Sequence, residues 1–320
     1  MKLATYRDGS RDGQLVVVSQ DLTQAHYATH IATRMQQVLD DWNFLSPQLE
    51  QLYQQLNQGK APYPFPFEPE HCMSPLPRPA DYFQSNAYAR AIHKDTPLVT
   101  SNTSAATMTT PHAEIKPADI KHQADFSACL AAITDDIPRF TEPSSATESI
   151  RLLMLNANIL TNSPFDEHNQ QTPDCNPAHV LSAFSPVAVT CDELGDAWKN
   201  GKIQLRLDVF LNGQPIARCP ADEHMAFTFG DICTHICQAH PITTGTIINS
   251  GPVMHADKTK GYTSISLKRQ HELEETGEAK TPYLQPADTL RIEMKGKNGH
   301  TVFGALILKA QTASLTAQNT

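Results

Sequence analysis

Apolar and polar positions alternate in three different rhythms along this chain. From Lys2 to about Ala28 the apolar residues come in short runs. The clearest is Leu15-Val16-Val17-Val18, and Asp8-Gly9 and Asp12-Gly13 supply turns, so short strands are predicted. Ile31, Met35, Val38, Leu39 and Trp42 then fall at i, i+4, i+7, i+8 and i+11, one apolar helical face. A second helix is predicted with Ser46 as N-cap, Pro47 as its first residue, Leu49, Leu52, Tyr53 and Leu56 inward, and Gly59 as its stop. From Lys60 to Pro79 prolines interrupt every few positions, which marks a junction between an N-terminal domain (1–78) and a larger one (79–310).

Within the larger part, Ile203 to Val209 alternates with period two. Asn212-Gly213 makes a hairpin turn into Gln214 to Arg218, and Thr289–Met294 and Val302–Leu308 read as strands joined at Lys297-Asn298-Gly299. Helices are predicted for Asp192–Lys199 and Asp231–His240. Two Ser/Thr- and amide-rich tracts, Thr100–Thr110 and Thr161–Pro177, are expected as exposed loops, the second as a lid carrying Asp166, Glu167 and His168. Residues 311–320 are small and polar and are expected to form a disordered tail.

Composition narrows the class. Hydrophobic residues make up 40% and charged residues 18%, and the 23 prolines point to a loop-rich, β-leaning architecture. The net charge of −9 and scattered basic residues argue against a nucleic-acid partner. No apolar run approaches the roughly 20 residues of a membrane span, and Met1–Asp8 has no signal-peptide core, so a cytoplasmic protein is expected. Seven widely spaced cysteines without a CxxC fit reduced thiols. Cys233, Cys237 and His240 share one helix face at i, i+4 and i+7, a spacing that would suit a metal, but buried thiols on a packed face are the expectation. Asp135 and Asp136 are placed in the turn after an apolar strand.

Several stretches resemble a bacterial-type branch of the fumarylacetoacetate hydrolase family. They are Lys2-Leu3-Ala4-Thr5 with Asp8-Gly9-Ser10-Arg11-Asp12-Gly13 and Leu15-Val16-Val17-Val18-Ser19, and Ala183-Phe184-Ser185-Pro186-Val187-Ala188-Val189-Thr190 running into Asp192-Glu193-Leu194-Gly195-Asp196-Ala197-Trp198. A third set is Gly261-Tyr262, Lys268-Arg269, Thr281-Pro282, Asp288-Thr289 and Arg291-Ile292-Glu293-Met294. The resemblance spans almost the whole chain. It implies an α+β, β-rich fold, a mixed β-sheet roll with a small N-terminal α/β domain, usually as a homodimer. It also implies a Mg²⁺, Ca²⁺ or Mn²⁺ ion that grips a β-diketo acid or acylpyruvate while water cleaves a carbon–carbon bond, chemistry of aromatic amino-acid catabolism. A hard ion wants carboxylate oxygens and polarises the keto-enolate, a His–Glu pair activates the water, and a Lys neutralises the developing charge.

Position by position, the resemblance fails at the chemistry. Where the family has a Glu-x-Glu pair, this chain has Ser127 and Cys129; where it has two aspartates, this chain has Asn158 and Gln84. The family lysine matches His179, and its histidine matches Ala91, with His93 two residues on. The glutamate beside Lys268-Arg269 matches Leu267, a substrate-binding threonine matches Pro252, and a tyrosine matches Thr100. The four ligand positions carry no charge, so no metal is expected, and the reading is a pseudoenzyme that keeps the fold, with a small keto acid as the candidate ligand of its pocket. The alternative is an active hydrolase or lyase rebuilt around Cys129, Asn158, His179 and His93, with zinc as a candidate ion or Cys129 as a nucleophile.

Overall fold

The computed structural model describes residues 1–121, 123–161 and 178–312, without the side chains of 178 and 179. The predicted tail from 313 onward and the Asp166-Glu167-His168 tract lie outside the described residues.

The architecture is the expected β-rich mixed-sheet roll. A 12-stranded sheet runs from Phe65–Pro66 through Gln24–Tyr27, Gln14–Val18, Lys2–Tyr6, Ala188–Thr190, Ile150–Thr161, Asp125–Thr134, Ile247–Pro252 and Tyr82–Ser85 to Thr100–Asn102, with Ala178–Phe184 branching off Ile150–Thr161. A five-stranded sheet, Gln214–Pro220, Arg206–Leu211, Thr289–Lys295, Leu306–Ala310 and His112–Ile115, faces it. Lys2 and Leu3 pair with Val189 and Ala188, so the N-terminal strands continue the sheet of the larger part.

The Asp125–Thr134 strand is buried along all ten residues, because both faces of the sheet are covered. Phe126, Ala128, Leu130 and Ala132 point into the core shared with the second sheet. Ala131 and Ile133 point the other way, into a core with Leu152, Met154, Tyr82 and Phe184 that the N-terminal helices close with Met35, Val38, Leu39, Leu49, Tyr53 and Leu56. A strand covered on both sides reads as a continuous apolar run instead of alternating.

Several local expectations are corrected. The second helix spans Trp42–Asn57, so Pro47 lies inside it and Ser46 is not its cap. A proline here removes one hydrogen bond near the helix start, which the burial of Leu49, Tyr53 and Leu56 outweighs. Gly59 does end it, with φ +66° and Lys60 N–H donating to Gln55 O. The 192–199 stretch is a 3₁₀ segment, Cys191–Ala197, broken at Gly195 where φ is +52°. Thr100–Thr110 is not a plain loop but contributes Thr100–Asn102 and Met108–Thr109 to the large sheet. The last strand starts at Leu306, after Gly304 (φ +76°) turns against Pro186.

The predicted helix near 231–240 is Phe229–Cys237, capped by Thr228 and Asp231 in a reciprocal box. Helix Ile265–Thr276 has no counterpart in the sequence reading. Only Ile265, Ser266, Leu267 and His271 are buried on it, too few for a clear apolar stripe. Asn212 (φ +52°) and Gly213 (φ +75°) make the expected hairpin turn. No helix among the described residues is long and apolar enough to cross a membrane.

Gly230 sits where Phe229–Cys237 crosses Pro143–Glu148, and a Cβ there would run into Pro143 O and Thr147 Oγ1. Gly230→Ala gains about 1 kcal/mol of helix propensity. The overlap nevertheless makes it net destabilising by ~2 kcal/mol, read as a lower urea midpoint at unchanged slope.

Candidate functional site

Four of the positions singled out in the sequence converge where four strands run side by side. Ser127 lies opposite Asn158 in the antiparallel register, and Cys129 lies opposite Asn156. Tyr82–Ser85 joins through Ile247–Pro252, which pairs with both neighbours. The side chains then close on each other. Gln84 Nε2 donates to the Tyr82 hydroxyl at 2.6 Å, that hydroxyl donates to Asn158 Oδ1 at 3.1 Å, and Asn158 Nδ2 returns to Gln84 Oε1 at 3.2 Å. Asn156 Nδ2 donates to Ala183 O at 3.0 Å, Asn249 Nδ2 donates to Asn156 Oδ1, and Gly251 N–H donates to Asn249 Oδ1 at 2.6 Å. Ser127 Oγ lies 3.1 Å from Cys129 Sγ. All these residues are buried, Gln84 being the most accessible at 9%.

In front of this cluster lies a cavity of about 300 Å³. Ser127 forms part of its wall, with His93, Pro252 and Leu267 from the sequence-derived set and Ile92, Leu160, Met254, Ser264 and Asp125 beside them. His93 is exposed at the mouth, in the turn after the 3₁₀ segment Ala89–Ala91. Ala91 and Thr100 do not line the cavity; Thr100 pairs with Ser85 at the sheet edge. The backbone of His179 lies opposite Leu160, and its side chain is outside the described residues.

The carboxylate at the cavity wall is Asp125, and its lone pairs are committed. Oδ1 accepts from Phe126 N–H at 2.7 Å and Ile265 N–H at 2.7 Å, and Oδ2 accepts from Ser266 N–H at 3.0 Å. Ser264 Oγ accepts from Leu267 N–H at 3.2 Å. The first turn of helix Ile265–Thr276 is thus tied down from outside. Burial pushes the Asp125 carboxyl upward, while hydrogen bonds from Ser266, Ile265 and Phe126 pull it down; the net direction is up.

This donor set does not fit a hard divalent ion. Mg²⁺ or Mn²⁺ exchanges tightly held water for anionic oxygens, and Gln84, Ser127, Cys129 and Asn158 offer only neutral groups. The two amides already satisfy each other, so an ion would break a closed ring without supplying charge in return. A softer site built on Cys129 fares no better, because zinc and nucleophilic chemistry both need the thiolate. Burial pushes the Cys129 thiol up to about 12, and hydrogen bonds from Ser127 and Asn249 offset only part of that.

Two other clusters resolve as structure. Cys233 and Cys237 are buried on the inner helix face, and the His240 ring stacks on Phe83. Glu223, His224 and His255 bring their ligand atoms within 4.8 Å of one another. There, Asp257 N–H donates to His255 Nδ1 at 3.0 Å, which leaves the proton on Nε2 to reach Glu223 at 2.8 Å. That nitrogen donates a hydrogen bond and is not an open metal ligand.

Sequence reasoning passed over Tyr82, Asn156, Asn249 and Asp125. Tyr82 and Asn156 stand two residues before Gln84 and Asn158, on the same strand faces, so the period-two rule applied to the quoted positions would have named both. No local signal marks Asn249 or the cap formed by Asp125, which join residues 93 and 140 positions apart.

Comparison with known proteins places this geometry in context. Residues 1–78 match the family profile described as fumarylacetoacetase N-terminal domain 2, and residues 80–308 match fumarylacetoacetate (FAA) hydrolase C-terminal. No curated protein matches the sequence. Among solved structures, the chain resembles fumarylacetoacetate hydrolase from psychrophilic Exiguobacterium antarcticum at TM-score 0.68 and 16% identity, over 98% of this chain and 99% of that one. It resembles maleylpyruvate hydrolase from Sphingobium sp. SYK-6, solved in complex with manganese(II) and pyruvate, at TM-score 0.64 and 13% identity, over 97% and 99%. A 2-hydroxyhepta-2,4-diene-1,7-dioate isomerase from Mycobacterium marinum aligns at TM-score 0.60 and 12% identity, over 98% and 99%. These similarities show the fold.

Two outcomes are expected. Asp125→Ala leaves the Ile265 and Ser266 N–H groups unpaired and costs about 2–4 kcal/mol in chemical denaturation, with Asp125→Asn intermediate. Burial holds Cys129 as the neutral thiol at pH 8 and keeps reagent away from it. Iodoacetamide followed by mass mapping therefore leaves it unlabelled in the native protein, with labelling rising only toward strongly alkaline pH or on unfolding.

Proposed function

The chain belongs to the fumarylacetoacetate hydrolase family, and from that premise we propose that it is a metal-free member, silent in the family's carbon–carbon hydrolysis, whose cleft serves as a small-molecule binding site. The observation that carries this reading is the closed ring Gln84–Tyr82–Asn158. At the family level the activity is that of a hydrolase or isomerase acting on acylpyruvate-type compounds. Catalysis of that kind rests on a bound divalent ion that polarises the keto-enolate. Here the four positions at which the resemblance expects carboxylates carry amides, a hydroxyl and a thiol, and the amides are satisfied within the protein.

The acid–base groups point the same way. Leu267 stands where the resemblance expects the glutamate that assists the catalytic histidine, and it is buried in the first turn of its helix. Ala91, at the histidine position, has no titratable group at all. His93 reaches the cavity mouth, but it is exposed and no carboxylate other than the committed Asp125 lines the cavity among the described residues. A base without an orienting partner or a polarised substrate contributes little. The alternative of a rebuilt Cys/His centre is opposed by the burial of Cys129, which holds it as a thiol.

The scaffold keeps its shape because amides can replace carboxylates sterically while hydrogen-bonding to each other. Carboxylates without their ion would repel and each would lose hydration, at several kcal/mol apiece. The neutral set is therefore the stable one in a metal-free protein.

The test is a thermal-shift titration of chelator-treated protein with Mg²⁺, Mn²⁺ and Zn²⁺, run beside turnover of an acylpyruvate. An ion bound at a hundred times its dissociation constant adds about 2.7 kcal/mol, a shift of a few degrees. No shift and no turnover are expected. A Mn²⁺- or Mg²⁺-dependent shift together with turnover refutes the metal-free reading, and a shift with Zn²⁺ alone moves the assignment to the rebuilt centre.

A further inference from the structure

We infer that the cleft selects an uncharged, mainly apolar ligand with one hydrogen-bonding end, and rejects the anionic keto acids on which the resemblance is built. This rests on the reading of the cleft as a metal-free binding site and names the class of molecule it takes.

A carboxylate leaving water for a cavity of about 300 Å³ requires a metal, a Lys or Arg, or free backbone N–H groups. The metal is opposed by the donor set. No Lys or Arg lines the cavity among the described residues. Two arginines on the same segments as lining residues are engaged elsewhere: Arg90 Nε donates to Thr96 O and its guanidinium lies over Phe227, and Arg269 donates to Thr281 O.

The remaining device is the N-terminus of helix Ile265–Thr276, which opens beside the cavity and would ordinarily attract an anion. Its donors are spent. Ile265 and Ser266 N–H go to Asp125, Leu267 N–H to Ser264 Oγ, and Lys268 N–H to Ser264 O. The protein's own carboxylate thus occupies the place of an anionic ligand and repels a second one.

What the wall does offer is mainly apolar surface from Ile92, Leu160, Pro252, Met254 and Leu267, with Ser127, His93 and Gln270 among its uncharged polar groups. A hydroxyl both donates and accepts, so it serves a carbonyl or an alcohol. An apolar body on the aliphatic wall with a neutral polar end at Ser127 matches each surface with its own kind.

The experiment is saturation-transfer NMR on the full chain in chelator, with hexan-1-ol and hexanoate as probes that share a chain length and differ in charge. Hexanol is expected to receive saturation from the protein, to lose it in Met254→Trp, which fills the cavity, and to bind about a hundredfold tighter than hexanoate, the equivalent of two tenfold steps. Gln270→Arg, which adds a cation to the wall, is expected to raise hexanoate binding and leave hexanol unchanged, and it serves if the tryptophan variant fails to fold. Hexanoate binding as tightly as hexanol in the unmodified protein overturns the inference. So does a hexanol signal that Met254→Trp leaves intact, or hexanoate binding that Gln270→Arg does not improve. Metal-dependent turnover of an acylpyruvate would sink the metal-free reading itself, whereas equal binding of the two probes without metal sinks only the charge selectivity.

Discussion

A strand covered on both faces can hold polar side chains only if they satisfy one another, and the centre of this protein is organised around that requirement. Asp125–Thr134, a strand of the large sheet, has the second sheet on one face and the N-terminal helices on the other, and is buried along its whole length. Every polar group beside it must find a protein partner or lose free energy comparable to a broken hydrogen bond. Gln84, Tyr82 and Asn158 do so as a ring. Asn156 and Asn249 extend it, and Asp125 does so by holding the start of a helix 140 positions further along the chain. The same strand therefore shapes the cluster behind the cavity and the helix that forms one of its walls.

That requirement also explains how, in the proposed metal-free reading, the fold persists without the family's ion. Carboxylates converging on one point are stable only around a cation. Amides at the same places carry donors and acceptors together and can close a network unaided. Such a network stabilises the protein and, in the metal-free reading proposed above, takes the place of the electrophilic centre on which the family reaction depends. The cavity is walled largely by aliphatic groups, and the one carboxylate lining it among the described residues is turned toward a helix terminus. On the proposed reading, fold and chemistry separate at a handful of side chains, as expected when function is carried by a site and not by the scaffold.

Much of the architecture was legible in the chain. The strands at 2–6, 14–18 and 206–220, the Asn212-Gly213 turn, the stop at Gly59 and the helix near 231–240 follow from local periodicity and turn chemistry. The neutral character of Gln84, Ser127, Cys129 and Asn158 is plain in the chain; that they cluster at one site is what the structure adds. Less visible were elements whose stability comes from elsewhere. Helix Ile265–Thr276 buries too little to show a stripe and is fastened at its start by Asp125. Helix Trp42–Asn57 runs through Pro47 because its inner face is anchored. Gly195 breaks a segment whose composition otherwise reads as helical.

The sequence by itself determined the β-rich family fold and the chemical character of the site, since both depend on which residues occupy which positions along the chain. Only the tertiary structure decided that the neutral side chains bond to each other instead of standing open, that Cys129 is held as a thiol, and that Asp125 takes up the donors an anion would use. Those outcomes depend on burial and on partners far apart in sequence, and hydrogen bonding and desolvation are set by distance in space.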